Sequence, residues 1–407
     1  MNPPAWRRTT YVVAATQLFV LTGFGLALPF LPLYIQELGV SDPTSVAWWT
    51  GVMSAASGFT MAVATPIWGA IGDRFGWKRM LLRAITGGGL VLISMGLVAN
   101  VQQLLVLRFL QGVLSGTGAA AATLVATLSP REETGYAVGL VSAGTQIGNF
   151  IGPILGGIAL LGLGFRMSFD VSGAILLCCA AAATLWVSDV PASRAPFERA
   201  ERSARGAIAP LRSAFGAFAW PELRGVVFAQ YLTQATFAAT VALFPLYVQA
   251  IARPSWLSIE LAIGIALAAT ALASAAAIPI FGRLADRRGA TNVLAFGAVL
   301  GGSALVLHAA EPNAIVVILL RLLIGISAAA ITAATVVLTR RAAHEGSEGR
   351  AFGASLGAQM LGWGSGPLLG AAIVATSGLP ALFVVAGVVT ASIALGALLA
   401  RAWFPLK

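Results

Sequence analysis

The chain has 407 residues, of which 58% are hydrophobic and 10% are Asp, Glu, Lys or Arg; ordinary soluble domains run at about 45–50% and 25%. So few charges cannot clothe a water-soluble protein of this length, and so apolar a chain is not intrinsically disordered. The formal charge of +10, from 25 basic and 15 acidic residues, could in isolation signal nucleic acid, but its distribution points elsewhere.

In chain order the apolar runs predict twelve membrane-spanning helices, over 11–35, 47–71, 80–99, 103–127, 135–160, 166–187, 224–250, 258–282, 290–309, 314–338, 350–375 and 380–400. Several approach or exceed the roughly 20 residues that cross a bilayer as a helix. The stretch from Tyr11 to Ile35 is too long for a signal-peptide core and is expected to remain as the first span. Cys178 and Cys179 are neighbours in an apolar run, so neither a structural disulfide nor a metal site is expected. The predicted fold is all-α: a six-helix bundle over 1–187, a polar, Pro- and Arg-bearing cytoplasmic linker over 188–223, and a second six-helix bundle over 224–407.

Placing both termini in the cytoplasm sorts the charges. Arg166 and Arg253 then lie on the outer side, Arg108 and Arg321 fall well within spans, and the other 21 of the 25 basic residues, Arg83 and Arg224 at span ends among them, are assigned to the cytoplasmic side. The inverse topology would violate the positive-inside rule in almost every loop. The basic balance is therefore a topology signal, and no nucleic-acid partner is expected.

The two bundles are copies. A shift of 213 residues carries Gln17 to Gln230, Phe24 to Phe237, Tyr34 to Tyr247, Asp73 to Asp286, Gly76 to Gly289 and Arg108 to Arg321; a shift of 214 carries Gly152 to Gly366, Pro153 to Pro367 and Gly156 to Gly370. Duplicated bundles around a midplane cavity suit alternating access, in which one half rocks against the other.

Three motifs stand out. Gly69-Ala-Ile-Gly72-Asp73-Arg74-Phe-Gly76-Trp-Lys78-Arg79 joins spans two and three, and its Gly-x-x-x-Asp-Arg-x-Gly core returns at Gly282–Gly289. Asp73, at the membrane edge, can take charge-assisted hydrogen bonds. Arg108-Phe-Leu-Gln111-Gly112 puts an arginine one to two turns inside span four. Burying it costs about 2.5–3.5 kcal/mol on insertion scales, so it should face protein or a water-filled cavity, in a structural or a functional role. In span five, Gly144, Gly148, Gly152 and Gly156 form a bare stripe that admits close helix approach, and Pro153 bends the helix.

In this order, the three motifs resemble those of the major facilitator superfamily, and the span-five stripe resembles the signature of its twelve-helix bacterial drug:proton antiporters. Leu28-Pro29-Phe30-Leu31-Pro32-Leu33-Tyr34 also looks like the multidrug efflux branch. The resemblance implies proton-driven export of small amphiphilic compounds. It further implies that Asp73, beside Arg74, locks the outward-facing state against span eleven, that Arg108 influences proton coupling, and that the span-five glycines control the seam between the halves. Where many drug:proton antiporters carry an acid in the first span, this chain has Gln17.

Asp170 is the one acid set well inside a predicted span; Glu260, in the first turn of the 258–282 span, is assigned to the outer side. It suits either an i,i+4 pair with Arg166 or a protonatable site coupled to Arg108. Candidate ligand-cavity residues are Gln17, Phe24 and Tyr34 in span one, Gln111 in span four, Gln146 and Asn149 in span five, Tyr231, Gln234, Phe237 and Tyr247 in span seven, and Gln359, Met360 and Trp363 in span eleven. Aromatic faces can stack on planar drugs and hold cations, although each residue taken singly also suits core packing or interfacial anchoring. The expected protein is a monomeric, multi-pass transporter of a bacterial inner membrane. It exports amphiphiles in exchange for protons, uses the proton gradient and no cofactor, and has no enzymatic activity. The alternative is an importer of sugars or organic acids.

Overall fold

The structure, a computed structural model, describes residues 5–187, 220–310, 313–344 and 347–403. The expected linker falls almost wholly outside the described residues. Among those residues every regular element is helical, the one local conformation that lets a lipid-bathed segment satisfy its own backbone N–H and C=O groups.

Span one is α1 (Ala5–Ala27), a 3-10 turn at Leu28–Phe30, and α2 (Leu31–Glu37). Pro29 and Pro32 each lack an amide donor, which explains the interruption. Span two is α3 (Pro43–Phe75) and span three α4 (Trp77–Gly96). Span four is divided into α5 (Val101–Leu114) and α6 (Thr117–Leu128), and spans five and six run together as α7 (Thr134–Trp186). The second repeat comprises α8 (Pro221–Ala250), α9 (Ile259–Arg288), α10 (Ala290–His308), α11 (Ala314–Ala342) and α12 (Glu348–Trp403), the last holding spans eleven and twelve.

Among the described residues, nine helical stretches are long and apolar enough to cross a membrane. Two of them, those containing α7 and α12, carry a non-helical glycine, Gly164 (φ 71°) and Gly378 (φ 84°), that divides each in two. With α3, a further helix of 33 residues, this is consistent with twelve spans.

Sequence chemistry sets the ends. Asn100 caps α5 by accepting from the Gln103 amide (2.9 Å), and the Gln103 side chain accepts in return from the Ala99 amide (2.8 Å), a reciprocal arrangement like a capping box. Asn313 and Ser258 cap α11 and α9 in the same sense. Asp42 accepts from the Ser45 amide (2.8 Å) and hydroxyl (2.7 Å) at the start of α3. These two donors hold its carboxyl below the usual 3.8. Gly76 and Gly289, the repeat-related last glycines of the first motif, both adopt positive φ (96° and 92°) between consecutive spans, a conformation that favours glycine.

The chain packs as two units, Met1–Phe30 with Thr60–Ala207 and Leu31–Phe59 with Ile208–Lys407. In the first, the glycine stripe of α7 lies on α1. β-carbons built at Gly144, Gly148 and Gly156 would collide with the carbonyl oxygens of Ala14, Leu18 and Leu26, and one at Gly152 would stand 2.9 Å from the Gly25 Cα. The stripe expected at the seam between the halves is thus occupied by a helix of its own unit. The second unit repeats the device, with Gly362, Gly366 and Gly370 of α12 packed on Tyr231, Ala235 and Ala239 of α8. Small residues also fill its core, where Ala298, Ala330 and Ala334 pack with Ile331 and Leu338.

Candidate functional site

In the first unit, span four parts at Ser115–Gly116, where Gly116 has φ +113°. Its repeat equivalent, α11, is unbroken, with Ala328 and Ala329 at the corresponding places. Breaking a helix frees carbonyl groups that must find other donors in an apolar setting. Two neighbouring helices supply them, and a third bonds just past the break. Trp68 Nε1 of α3 donates to the Val113 carbonyl (2.7 Å) and Arg83 Nη2 of α4 to the Ser115 carbonyl (3.1 Å), while Gln17 Nε2 of α1 donates to the Thr117 carbonyl (3.3 Å) at the start of α6. The Arg83 guanidinium lies 3.7 Å over the Trp68 ring, within cation–π range. Sequence reasoning grouped Arg83 with the cytoplasmic cations. Its position just inside the third span, opposite a Ser-Gly pair in the fourth, was the available signal.

Two turns before the break, Arg108 Nη1 donates to Gln111 Oε1 at 2.6 Å, and the Ser115 hydroxyl donates to the Gln111 carbonyl at 2.7 Å. Arg108 is half-buried, and its Nε finds no hydrogen-bond acceptor. Among the described residues the ion pair found is Arg7–Glu133 (2.9 Å), so Asp170 pairs with neither Arg166 nor Arg108. Asp170 Oδ1 is instead buried without a hydrogen bond, and a β-carbon built on Gly96 of α4 would lie 2.8 Å from it. Asp73 and Arg74 are both exposed.

The other candidates separate by burial. Gln17 and Tyr34 are fully buried, Gln111 is nearly so, Phe24 is half-buried against Gly88, Gln146 is half-buried and Asn149 is exposed. In the second unit Tyr247 is buried, and its hydroxyl donates to the His308 carbonyl (2.7 Å). Tyr231, Gln234, Phe237, Gln359 and Met360 are half-buried, and Trp363 is exposed. Two contacts join these α8 and α12 side chains: the Tyr231 and Ser365 hydroxyls bond at 3.1 Å, and Trp363 meets Phe237 edge-on at 6.1 Å. Behind them runs a polar chain. Gln359 donates to Gln230 (3.4 Å), Gln230 to Thr339 (3.4 Å), and Thr339 shares a hydrogen with Ser355 (3.1 Å). The half-exposed aromatics and amides can therefore contact a planar apolar guest, while the buried chain holds α8, α11 and α12 in register.

Arg321, the repeat partner of Arg108, is wholly buried and lies 3.7 Å over the Phe244 ring. His308 stacks on Phe383 nearby (5.1 Å, 10°) and bonds through Nδ1 to the Ala304 carbonyl (2.7 Å). No group of three or more potential metal ligands occurs among the described residues.

The profile of the Major Facilitator Superfamily matches residues 13–262 and 251–407. A Proteus mirabilis (strain HI4320) protein, "Multidrug resistance protein MdtG", is 32% identical over 384 residues, 93% of this chain and 92% of its own. The protein of the same name from Escherichia coli O17:K52:H18 (strain UMN026 / ExPEC) is 29% identical over 390 residues, 95% and 93% of the two chains. Among solved structures, a mutant of the nucleoside transporter NupG superposes with a TM-score of 0.78 at 13% identity, covering 97% of this chain and 100% of its own. The human organic anion transporter MFSD10 (TETRAN) gives 0.68 at 19%, covering 97% and 100%.

Proposed function

Since the chain belongs to the major facilitator superfamily, we propose that it is a secondary transporter exporting drugs or other small amphiphilic compounds in exchange for protons. The observation that carries this reading is the likeness, along more than nine-tenths of the chain, to proteins named for multidrug resistance. The α8 and α12 face supports it chemically. Tyr231, Phe237 and Trp363 offer aromatic surface, and Gln234 and Gln359 offer amides. Such a surface holds varied apolar compounds by shape and stacking, with few directional demands. The charge asymmetry of the loops supports a bacterial inner-membrane topology with both termini in the cytoplasm.

For proton coupling the reading rests on Asp170. One of its carboxyl oxygens is buried without a hydrogen bond, and an unpaired charge away from water is costly. A change of state that hydrates this oxygen would let a proton exchange there. Arg108, held by neutral Gln111, supplies a fixed positive charge to span four.

The test is reconstitution in liposomes with an imposed pH gradient and a panel of lipophilic cations, fluoroquinolones, tetracyclines and sugars. Drug movement driven by the gradient is expected, and it should be abolished in Asp170→Asn while membrane insertion persists. Gradient-independent sugar equilibration without drug movement would overturn the export reading. Full coupling in Asp170→Asn would overturn the assignment of the proton.

A further inference from the structure

We infer that Gln36 and Gln249 form a reciprocal amide latch that holds the outer end of the transporter shut, an inference resting on the alternating-access reading and topology above. Gln36 ends the first span of one repeat and Gln249 the first span of the other, and the shift of 213 residues that relates the repeats carries one onto the other. Inside the second packing unit the two copies meet. Gln36 Nε2 donates to Gln249 Oε1 at 3.0 Å, and Gln249 Nε2 donates to Gln36 Oε1 at 2.8 Å.

The residue type follows from the geometry. Where a side chain faces its own copy, it must be complementary to itself. A carboxamide has both a donor and an acceptor, so two copies satisfy each other; two carboxylates or two ammonium groups would repel. Below the pair, the backbones of α3 and α12 touch. A β-carbon built on Gly51 would stand 2.8 Å from the Pro367 carbonyl oxygen, and one on Gly58 2.7 Å from the Gly364 Cα. These contacts cannot persist if the outer ends part, so the amide pair sits on the seam that an outward-opening step must break.

The latch is neutral, which gives it a distinct character. Both glutamines are only half-buried, so on opening, water replaces each lost bond and the net bias stays small. That suits an element that opens once per cycle. Its strength should not depend on ionic strength, as that of an exposed ion pair would.

The experiment uses the full chain with Cys178 and Cys179 replaced by serine and nitroxide labels at the exposed Ser41 and Ser255, five and six residues after Gln36 and Gln249. Inter-label distances are read by pulsed electron resonance without substrate or pH gradient. A chain that exports no drug in liposomes still reports on the latch, so the failures of the two ideas are distinguishable. Gln36→Leu should shift the ratio of short- to long-distance populations about tenfold toward long. Gln36→Asn, too short for the amides to meet yet equally polar, should do the same and serves if the leucine variant fails to fold. Gln36→Glu with Gln249→Lys should restore the short population, now weakening with added salt. A parental distribution in folded Gln36→Asn, or a Glu–Lys pair that leaves the outer end as open as Gln36→Asn does, would overturn the latch.

Discussion

Alanine placed at two glycines of one helix, Gly148 and Gly139 of α7, should have different consequences. At Gly148 an added β-carbon lies 2.8 Å from Leu21 Cβ and collides with the Leu18 carbonyl oxygen, whereas at Gly139 it meets nothing within 4 Å. Ordinary contact begins near 3.4 Å, so α1 must retreat by more than half an ångström to admit the new methyl group. The Leu18 oxygen is backbone and has no rotamer to escape into. Overpacking of this kind costs about 1–3 kcal/mol. Both variants gain about 1 kcal/mol of helix propensity over glycine, which cancels when one is referred to the other. Gly148→Ala should therefore be less stable than Gly139→Ala by about 1–3 kcal/mol, with Gly139→Ala at or above the parent. The assay is reversible unfolding in detergent micelles with added denaturant, followed by tryptophan fluorescence. Coincident midpoints for the two variants would refute the packing of α7 on α1 through this stripe.

Arg83→Met removes the donor to the Ser115 carbonyl and the charge over Trp68, and should cost about 1–3 kcal/mol in the same unfolding assay; Arg83→Lys should recover only part of it, because a flexible ammonium does not stack as a planar guanidinium does. Gly116→Ala places a side chain at φ +113° and should destabilise by about 1–3 kcal/mol, unless span four closes into a continuous helix like α11, which an increase in helical circular dichroism would reveal. The Asp42 carboxyl, with its pKa depressed by the Ser45 donors, contributes to the first turn of α3 above its unfolded value of 3.8 and loses that contribution as pH falls through its lower folded value. Hydrogen exchange at the Ser45 amide should accordingly quicken, relative to its intrinsic rate, as the pH drops below 3.8, and Asp42→Ala should abolish that dependence.

The spans were legible because lipid leaves so few options: an apolar run of sufficient length must be helical, and the residues of the Asp-Arg-x-Gly turn reveal where it stops. The duplication was equally legible, because Gly76 and Gly289 had to be glycine for one conformational reason and kept their spacing. The break in span four was not. Ser115 and Gly116 sit in an apolar run that also holds Gly112 and Gly118 within continuous helix, and a glycine in such a run reads as a packing residue. Only the donors gathered from Trp68, Arg83 and Gln17 distinguish it, and these lie on three other helices. The candidate cavity residues were chosen as polar or aromatic side chains in spans, a criterion blind to direction. Tyr34 and Tyr231 are alike by that measure, yet one is buried at a helix end and the other shares a bond with Ser365 on a half-exposed face. For Asp170 the sequence offers Arg166 or Arg108 as a partner, whereas its carboxyl lies against Gly96, far away in the chain.

The joins at Gly164 and Gly378 bear on how the protein can be handled. A 53-residue helix such as α7 would be about 80 Å long at 1.5 Å per residue, far beyond a hydrocarbon core of about 30 Å. The chain must therefore double back at Gly164, and α12 must do so at Gly378, with almost no residues given to a loop. Neither point offers a stretch in which an epitope, a protease site or a reporter domain could be lodged without unwinding helix on both sides. Topology mapping by insertion should therefore fail at these two turns while succeeding around Trp256, where residues 251–258 between α8 and α9 are free of helix. Each pair of spans joined in this way is a single hairpin, to be moved, truncated or transplanted only as a whole.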